Sequence, residues 1–123
     1  MNLNQVTISV KDVEKSIDFY QKIGLKLIVK SLPNYARFEC PEGDSTFSLH
    51  LSHEKNNGTW IYFEVENVDI KTKELLEKGF VFENFPEDKP WLWRESRLKD
   101  FDNNLIIIYN AAGNRKNPPW KIQ

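Results

Sequence analysis

The alternation of hydrophobic and polar residues predicts a strand at matching places in the two halves of the chain. Every second residue is apolar across residues 5–10, and the same pattern recurs across residues 60–65. A period of two residues is typical of a strand with one buried face. Apolar residues at helical spacing follow both segments, so each strand is predicted to lead into an amphipathic helix.

The ends of the two predicted helices carry recognisable capping residues. Asp12 and Asn67 can each accept a hydrogen bond from an unpaired N–H group in the first helical turn. Gly24 and Gly79 suit the backbone position with positive φ that ends many helices. Shifting the sequence by 55 residues superimposes both caps and both glycines. This fixed separation predicts an internal repeat.

Three further strands are predicted after each helix. They lie near 25–30, 35–40 and 46–51 in the first half, and near 80–83, 91–99 and 104–110 in the second. Turn-forming residues separate strands at 41–44 and 100–104. The predicted fold class is α+β, with one domain over 1–123. It contains a first βαβββ module at 1–54, a second at 57–110 and a tail at 111–123, whose Trp120 is expected to dock onto the body or onto a partner subunit.

Composition and charge exclude several classes of function. The 123 residues have a formal net charge of −1 with mixed signs, so no basic face for nucleic acid is expected. The longest apolar run, residues 105–109, is too short to cross a membrane. Cys40 is the only cysteine, which excludes an internal disulfide and fits a reducing compartment. The N-terminus lacks a signal-peptide pattern, so a cytoplasmic location is expected.

Three stretches of the chain form a recognisable series. They are Val10-Lys11-Asp12-Val13 with Ser16-Ile17-Asp18-Phe19-Tyr20 and Gly24-Leu25, then Phe63-Glu64-Val65-Glu66-Asn67-Val68-Asp69, then Asp100-Phe101-Asp102-Asn103-Asn104-Leu105-Ile106. Together they resemble the glyoxalase/bleomycin-resistance/dioxygenase superfamily, also called vicinal oxygen chelate proteins. In the last of these stretches, Phe101 and Asn103 stand at the positions where members of that family have proline and glycine. The resemblance implies a cupped mixed sheet with helices on the outer face, a ligand cavity and a homodimer. The family includes metal-dependent enzymes and metal-free drug-binding proteins, so fold alone does not decide the function.

Strand alternation predicts which side chains face the cavity. The predicted ligand-binding residues are Gln5, Thr7, His50, Trp60, Tyr62, Glu64, Trp91, Trp93, Glu95, Arg97 and Ile107. The aromatic members are interpreted either as a box for a flat or cationic ligand or as filling of the core or a dimer contact. The same alternation places Arg94 on the opposite, core side of its strand.

The polar members of this set have two interpretations each. Glu64, Glu95 and Arg97 are predicted to form a mutual ion pair, with contacts to a polar ligand as the alternative. His50 is interpreted as a hydrogen-bonded wall residue or as a ligand contact. A role for His50 as a catalytic base is a further alternative, and no other catalytic residue is assigned.

The resemblance implies one metal ligand on each of four strands, at Gln5, His50, Trp60 and Ile107. Gln5 and His50 carry donor atoms for a metal. The Trp60 indole offers only an N–H group, and Ile107 offers no donor. A catalytic zinc site needs three protein ligands. We therefore expect no metal of the family type and no cofactor.

The leading hypothesis is a metal-independent protein that binds a small molecule and sequesters an aromatic or cationic drug or metabolite. The alternative is a metal-dependent lyase, isomerase or dioxygenase with a non-standard ligand set that draws on Glu64 or Glu95. A third interpretation is a purely structural or regulatory module whose aromatic residues fill the cup. The expected partners are a small-molecule ligand and a second copy of the chain, with no nucleic acid and no membrane.

Overall fold

The computed structural model describes residues 4–54 and 58–122, and these ranges form two βαβββ patterns in sequence. The first consists of β1 (Gln5–Val10), α1 (Val13–Ile23), β2 (Lys26–Ser31), β3 (Tyr35–Glu39) and β4 (Thr46–Leu51). The second consists of β5 (Trp60–Glu64), α2 (Val68–Glu77), β6 (Phe82–Asp88), β7 (Arg94–Lys99) and β8 (Leu105–Asn110). The predicted α+β class and the doubled βαβββ order are confirmed.

Each pattern folds into a four-stranded mixed sheet of the same topology. The strand orders are β1-β4-β3-β2 and β5-β8-β7-β6. The pairs β1–β4 and β5–β8 are parallel, and the remaining pairs are antiparallel. The first strand of each pattern therefore forms one edge of its sheet, and the last strand of the pattern lies beside it in the interior of the sheet.

The first compact unit comprises the described residues up to Thr59 together with Asp100–Asn103. Its core lies between α1 and one face of the first sheet, where Tyr20, Phe38 and Leu49 are fully buried. The predicted N-cap is confirmed, because the Asp12 carboxylate accepts a 3.0 Å hydrogen bond from the backbone N–H of Lys15.

The second compact unit comprises Trp60–Lys99 and the described residues from Asn104 onward. The N-cap prediction is confirmed here too, since the Asn67 side chain accepts from the N–H of Ile70 at 3.0 Å. Val68 and Leu75 of α2 are buried, whereas Leu76 is 40% exposed. Thr72 is buried on this face instead, and its hydroxyl shares a 2.7 Å hydrogen bond with Ser96 of β7.

Arg94 lies on the helix side of β7, as the alternation predicts, and an ion pair accounts for its position. Its Nε and Nη2 atoms both donate to the Asp69 carboxylate at 2.8 Å, and Nη1 donates to Asp88 at 3.1 Å. Asp69 stands in the first turn of α2, where a negative charge is also favoured by the helix dipole. The guanidinium therefore reaches the polar rim of the helix instead of the core.

The end of β6 and the start of β7 differ from the sequence predictions. Strand β6 runs to Asp88, and β7 begins at Arg94 rather than at residue 91. The intervening segment is a turn in which Leu92 has φ 67° and the N–H of Lys89 donates to the carbonyl of Trp93 at 2.8 Å. Trp120 was predicted to dock onto the body or onto a partner subunit; its side chain is 59% exposed, so it does not dock onto the body, and docking onto a partner subunit stays a prediction.

Both predicted helix-ending glycines have positive φ, 124° at Gly24 and 94° at Gly79. Each precedes the chain's return toward a strand, which confirms the predicted ends of both helices. None of the helices in the described ranges is long and apolar enough to cross a membrane.

Candidate functional site

Three aromatic rings meet on the face of the second sheet opposite α2. Trp93 stacks on Tyr109 with ring centroids 4.6 Å apart and an interplanar angle of 22°. Tyr62 meets Trp93 edge-on at 5.8 Å and Tyr109 edge-on at 5.6 Å. Ile107 is fully buried in the cluster beneath them, which also contains Ala111. We call Tyr62, Trp93 and Tyr109 the ring cluster.

A buried carboxylate belongs to the same sheet face. Glu95 is 1% exposed, and its Oε1 accepts from Arg97 Nε at 3.2 Å and from Nη2 at 2.9 Å. Its Oε2 accepts from the indole Nε1 of Trp91 at 2.7 Å. Each carboxylate oxygen therefore has a partner, as a buried charge requires.

Glu64 does not join this ion pair, contrary to the prediction. Its carboxylate accepts a 3.2 Å hydrogen bond from the backbone N–H of Ala111, the residue that follows β8. The sequence indicated the correct face for Glu64 but not its partner, because the end of β8 lies 47 residues away along the chain.

The surroundings of the ring cluster keep its phenols protonated. The pKa of Tyr62 is raised, mainly by burial and secondly by the negative charge of Glu95. The charge of Arg97 has a smaller, opposing effect on this pKa. Burial, followed by the charge of Glu64, likewise raises the pKa of Tyr109. Both hydroxyls are therefore neutral hydrogen-bonding groups at physiological pH.

Two of the predicted aromatic residues, Trp91 and Trp60, have no described ring contact with the ring cluster. Trp91 donates to Glu95 instead. Trp60 stands at the start of β5, opposite Leu105 of β8, and its side chain is 65% exposed. Alternation alone assigned Trp60 and Tyr62 to one face, and the position along the strand separates their surroundings.

A second group of polar side chains lies on the first sheet, on the face opposite α1. Gln5 Nε2 donates to Ser48 Oγ at 2.9 Å and to Thr7 Oγ1 at 3.2 Å. The Ser48 hydroxyl shares a 2.8 Å hydrogen bond with the hydroxyl of Tyr35. Arg37 Nε donates to the same Tyr35 oxygen at 2.8 Å. We call Gln5, Ser48, Tyr35 and Arg37 the polar network.

Ser48, Tyr35 and Arg37 were not among the predicted site residues. The signal for the latter two was present in the sequence, because they alternate with Ala36 and Phe38, which are both fully buried. Applying the same alternation to residues 35–39 that was applied to the other strands would have placed Tyr35 and Arg37 on the polar face.

His50 is separated from Gln5 by the register of the first sheet. Gln5 pairs with Thr46, whereas His50 pairs with Ser9 on one side and with Tyr35 on the other. The side chains bonded to Gln5 on β4 are therefore those of Thr46, whose hydroxyl donates to Gln5 Oε1, and Ser48, and His50 lies farther along the sheet. A shift of two residues preserves strand alternation, so the sequence pattern did not reveal this.

The registers of β1 on β4 and of β5 on β8 also change which four residues occupy matching positions in the two sheets. These positions are the ones inferred above for metal ligands. Thr7 pairs with Ser48 in the first sheet, and Tyr62 pairs with Ile107 in the second. Ile107 therefore corresponds to Ser48, and not to His50, in the repeated topology. The set at corresponding positions is Gln5, Ser48, Trp60 and Ile107, in which the indole and the alkyl group provide no lone pair for a metal.

These donors do not fit the catalytic metal that the resemblance implies, since such a site takes three nitrogen, sulfur or carboxylate ligands. Across residues 4–54 and 58–122, no cluster of three or more His, Cys, Asp or Glu side chains is arranged to hold a metal ion.

Comparison with known proteins places this geometry in a family. The sequence model of the Glyoxalase/Bleomycin resistance protein/Dioxygenase superfamily matches residues 2–108. This chain belongs to that superfamily. A Bacillus subtilis relative in the same range of length, "Uncharacterized protein YraH", is 34% identical over 128 aligned positions, covering 89% of this chain and 98% of the relative.

Solved structures of superfamily members share the fold. A member from Sphaerobacter thermophilus is 25% identical with a TM-score of 0.75, covering 89% of this chain and 96% of its own. A member from Nocardioides is 20% identical with a TM-score of 0.80, covering 100% and 90%. Lactoylglutathione lyase from Agrobacterium tumefaciens is 15% identical with a TM-score of 0.77, covering 98% and 97%. The last two similarities show the fold alone.

Proposed function

We propose that this superfamily member is a metal-independent binding protein that sequesters an aromatic or cationic small molecule, such as a drug or metabolite. The observation that carries the proposal is the ring cluster beside the buried Glu95–Arg97 ion pair. Binding of this kind requires a preformed surface and no proton transfer.

The ring cluster has the properties of a preformed platform for a flat ligand. Stacking of Trp93 on Tyr109 restricts both rings before any ligand arrives. Tyr62 remains 41% exposed, and Trp93 is only partly buried, so aromatic surface is left for a ligand to cover. Aromatic faces attract flat rings and cations, which sets the proposed ligand class.

The neighbouring charges give the platform a fixed polar rim. Arg97 donates to one oxygen of the Glu95 carboxylate, and Trp91 donates to the other. The carboxylate therefore does not rotate freely toward solvent. An ordered ion pair of this kind orients a polar substituent of the ligand relative to the rings. Metal independence rests on the donor chemistry at Trp60 and Ile107.

The test is calorimetric titration with three probes: a planar aromatic cation such as proflavine, a neutral aromatic such as naphthol, and tetramethylammonium. Trp93→Leu removes the central ring, whereas Trp120→Leu removes an exposed indole of the tail and serves as the matched control. We expect the aromatic cation to bind the wild type and the Trp120→Leu variant equally. Trp93→Leu is expected to weaken this binding about tenfold.

Three results would contradict the proposal. The first is wild-type affinity in the Trp93→Leu variant, and the second is the absence of heat with all three probes. The third is a stoichiometric content of zinc, nickel, manganese or iron in protein purified without a metal-affinity tag. That finding would replace the binding protein with a metal-dependent enzyme of the same superfamily that uses non-standard ligands.

We further propose that the protein acts in the cytoplasm as a homodimer. The support for a dimer is exposed apolar surface at the β6 edge of the second sheet, where Val81 is 83% exposed and Phe85 is 61% exposed. Isolated apolar side chains are common on surfaces, and association covers larger patches. Multi-angle light scattering at micromolar concentration is expected to give twice the monomer mass, and a monomer mass would refute the dimer. Cell fractionation tests the location.

A further inference from the structure

The polar network on the first sheet ends in an arginine whose guanidinium is oriented by a neighbour. Arg37 Nε donates to the Tyr35 hydroxyl oxygen at 2.8 Å, and its Cζ lies 5.5 Å from the centre of the Tyr35 ring. On the other side of Tyr35, the chain of hydrogen bonds continues through Ser48 to Gln5. Arg37 is therefore held at one nitrogen while its remaining atoms reach an exposed position.

The hydrogen-bond directions leave the Tyr35 proton available. Ser48 is fully buried and its oxygen accepts from Gln5, so its own proton needs an acceptor inside the protein. Either hydroxyl could donate in the 2.8 Å bond between Ser48 and Tyr35, and this requirement assigns the donor role to Ser48 and the acceptor role to Tyr35. It thus receives hydrogen bonds from both Ser48 and Arg37, and its own O–H donates outward.

The electrostatics of Tyr35 agree with this assignment. Partial burial by itself raises the pKa of the phenol. The hydrogen bonds from Ser48 and Arg37, with the positive charge of Arg37, outweigh that effect and hold the pKa below its ordinary value. A more acidic phenol is a stronger hydrogen-bond donor to a negatively charged acceptor.

The charge of Arg37 has no acidic partner in the part of the chain that the structure describes. The nearest carboxylate on the same face of β3 is that of Glu39, which pairs with Lys26 at 3.3 Å. A guanidinium has five N–H donors in a planar fork, and the described hydrogen bond of Arg37 uses only Nε. The Nη groups are thus positioned to bind an external acceptor with two oxygens.

We propose that the polar network is a binding site for the oxyanion of a small molecule, a carboxylate or phosphate group, with Arg37 as the principal contact and Tyr35 as a second donor. Arg37 forms a bidentate pair with the anion, and the outward O–H of Tyr35 donates a third hydrogen bond. This site goes beyond the proposed function, because it belongs to the first unit and recognises a different chemical group.

The experiment is a titration of the folded wild-type protein with inorganic phosphate and, separately, with benzoate. Binding is followed by calorimetry and by the NMR signal of the Arg37 Nε–H group. Arg37→Met removes the guanidinium and should weaken binding about tenfold. Tyr35→Phe removes one donor and the contact that orients Arg37, so we expect a smaller loss.

Lys30→Met is the matched control for net charge. Lys30 is exposed on the neighbouring strand β2 and pairs with Ala36, whose side chain is buried on the opposite face from Arg37. The Lys30→Met substitution removes one positive charge, as Arg37→Met does, but it changes no residue of the polar network. The affinity of the Lys30→Met variant for either probe should stay within about twofold of the wild type, since the Lys30 side chain lies on the opposite face of the sheet from Arg37 and its exposed charge is screened by salt.

The two probes identify the source of the oxyanion. Binding of phosphate alone supports a phosphate-bearing ligand, and binding of benzoate alone supports an aromatic carboxylate. An unchanged Arg37 Nε–H signal with both probes in the wild type overturns the proposal, as does equal binding by Arg37→Met and the wild type. If Arg37→Met does not fold, the wild-type NMR titration decides. None of these results depends on Trp93, so failure here is distinguishable from failure of the ring-cluster proposal.

Discussion

The hydroxyl of Tyr20 donates a 2.6 Å hydrogen bond to Oδ2 of Asp100, and both groups are buried. Tyr20 lies on α1, and Asp100 begins the turn Asp100–Asn103 that belongs to the same compact unit. Burial, followed by the negative charge of Asp100, raises the pKa of Tyr20 far above its ordinary value, so the phenol remains a donor at all physiological pH values. The bond joins residues that are 80 positions apart.

Tyr20→Phe is expected to destabilise the fold through this bond. It leaves a buried carboxylate without one of its donors, which costs about 2 kcal/mol of unfolding free energy. The measurement is the midpoint of urea denaturation. Tyr62→Phe is the matched control, because it deletes the same atom from a half-exposed ring and should cost less than about 0.5 kcal/mol. Equal midpoints for the two variants would show that the Tyr20 bond contributes nothing.

Asp102 provides a prediction about pH. Burial and the charge of Asp100 raise its pKa, against the hydrogen bond from the Lys11 N–H and the charges of Lys11 and Lys15. Because the folded pKa exceeds the unfolded one, the folded chain binds more protons between the two values. Stability therefore falls as pH rises through that window.

Asp102→Asn removes this ionisation and keeps an oxygen that can accept from Lys11, as Oδ1 does at 2.9 Å. The difference in stability between the variant and the wild type should therefore depend on pH. It should favour the variant more at neutral pH than at a pH below the ordinary aspartate pKa. Urea midpoints of both proteins at the two pH values test this. A difference between the proteins that does not change with pH would contradict the assignment.

The Glu95–Arg97 pair predicts a strong asymmetry between single and double variants. Arg97→Met leaves the Glu95 carboxylate buried without its cation and should cost about 3 kcal/mol. Adding Glu95→Gln removes the unpaired charge and should restore part of that loss. Chemical denaturation of the wild type, the two single variants Arg97→Met and Glu95→Gln, and the double variant gives the coupling between the two positions. If the double variant is as unstable as the sum of the two single ones, the pair does not act as a unit.

Gly58 should tolerate substitution less well than Gly79. Both residues have positive φ, 87° and 94°, so a side chain adds backbone strain at either position. A Cβ atom at Gly58 would also lie 2.5 Å from the backbone oxygen of Asn103, whereas none of the described atoms lies within 4 Å of a Cβ at Gly79. We expect Gly79→Ala to cost about 1 kcal/mol. Thermal denaturation should show a clearly larger loss for Gly58→Ala, and equal losses would refute the close contact.

The sequence by itself determined the fold class, the two βαβββ patterns and both helix N-caps, because these depend on local periodicity and on contacts within a few residues. It also determined the superfamily, through stretches that occur in the same order. The faces of Tyr62, Glu95 and Arg97 followed from alternation along single strands.

Tertiary structure alone decided which side chains became partners. Ser48, rather than His50, bonds to Gln5, because the register of β1 on β4 pairs Gln5 with Thr46 and brings Ser48, 43 positions away in sequence, within hydrogen-bond distance. A shift of that register by two residues would leave every buried position in the sequence pattern unchanged. Two further contacts depend in the same way on strands that are distant in sequence. The Glu64 carboxylate accepts from the Ala111 N–H, and Tyr109 contacts Tyr62 in the ring cluster. Periodicity specifies the face of a side chain, and only the packed sheet specifies its neighbour.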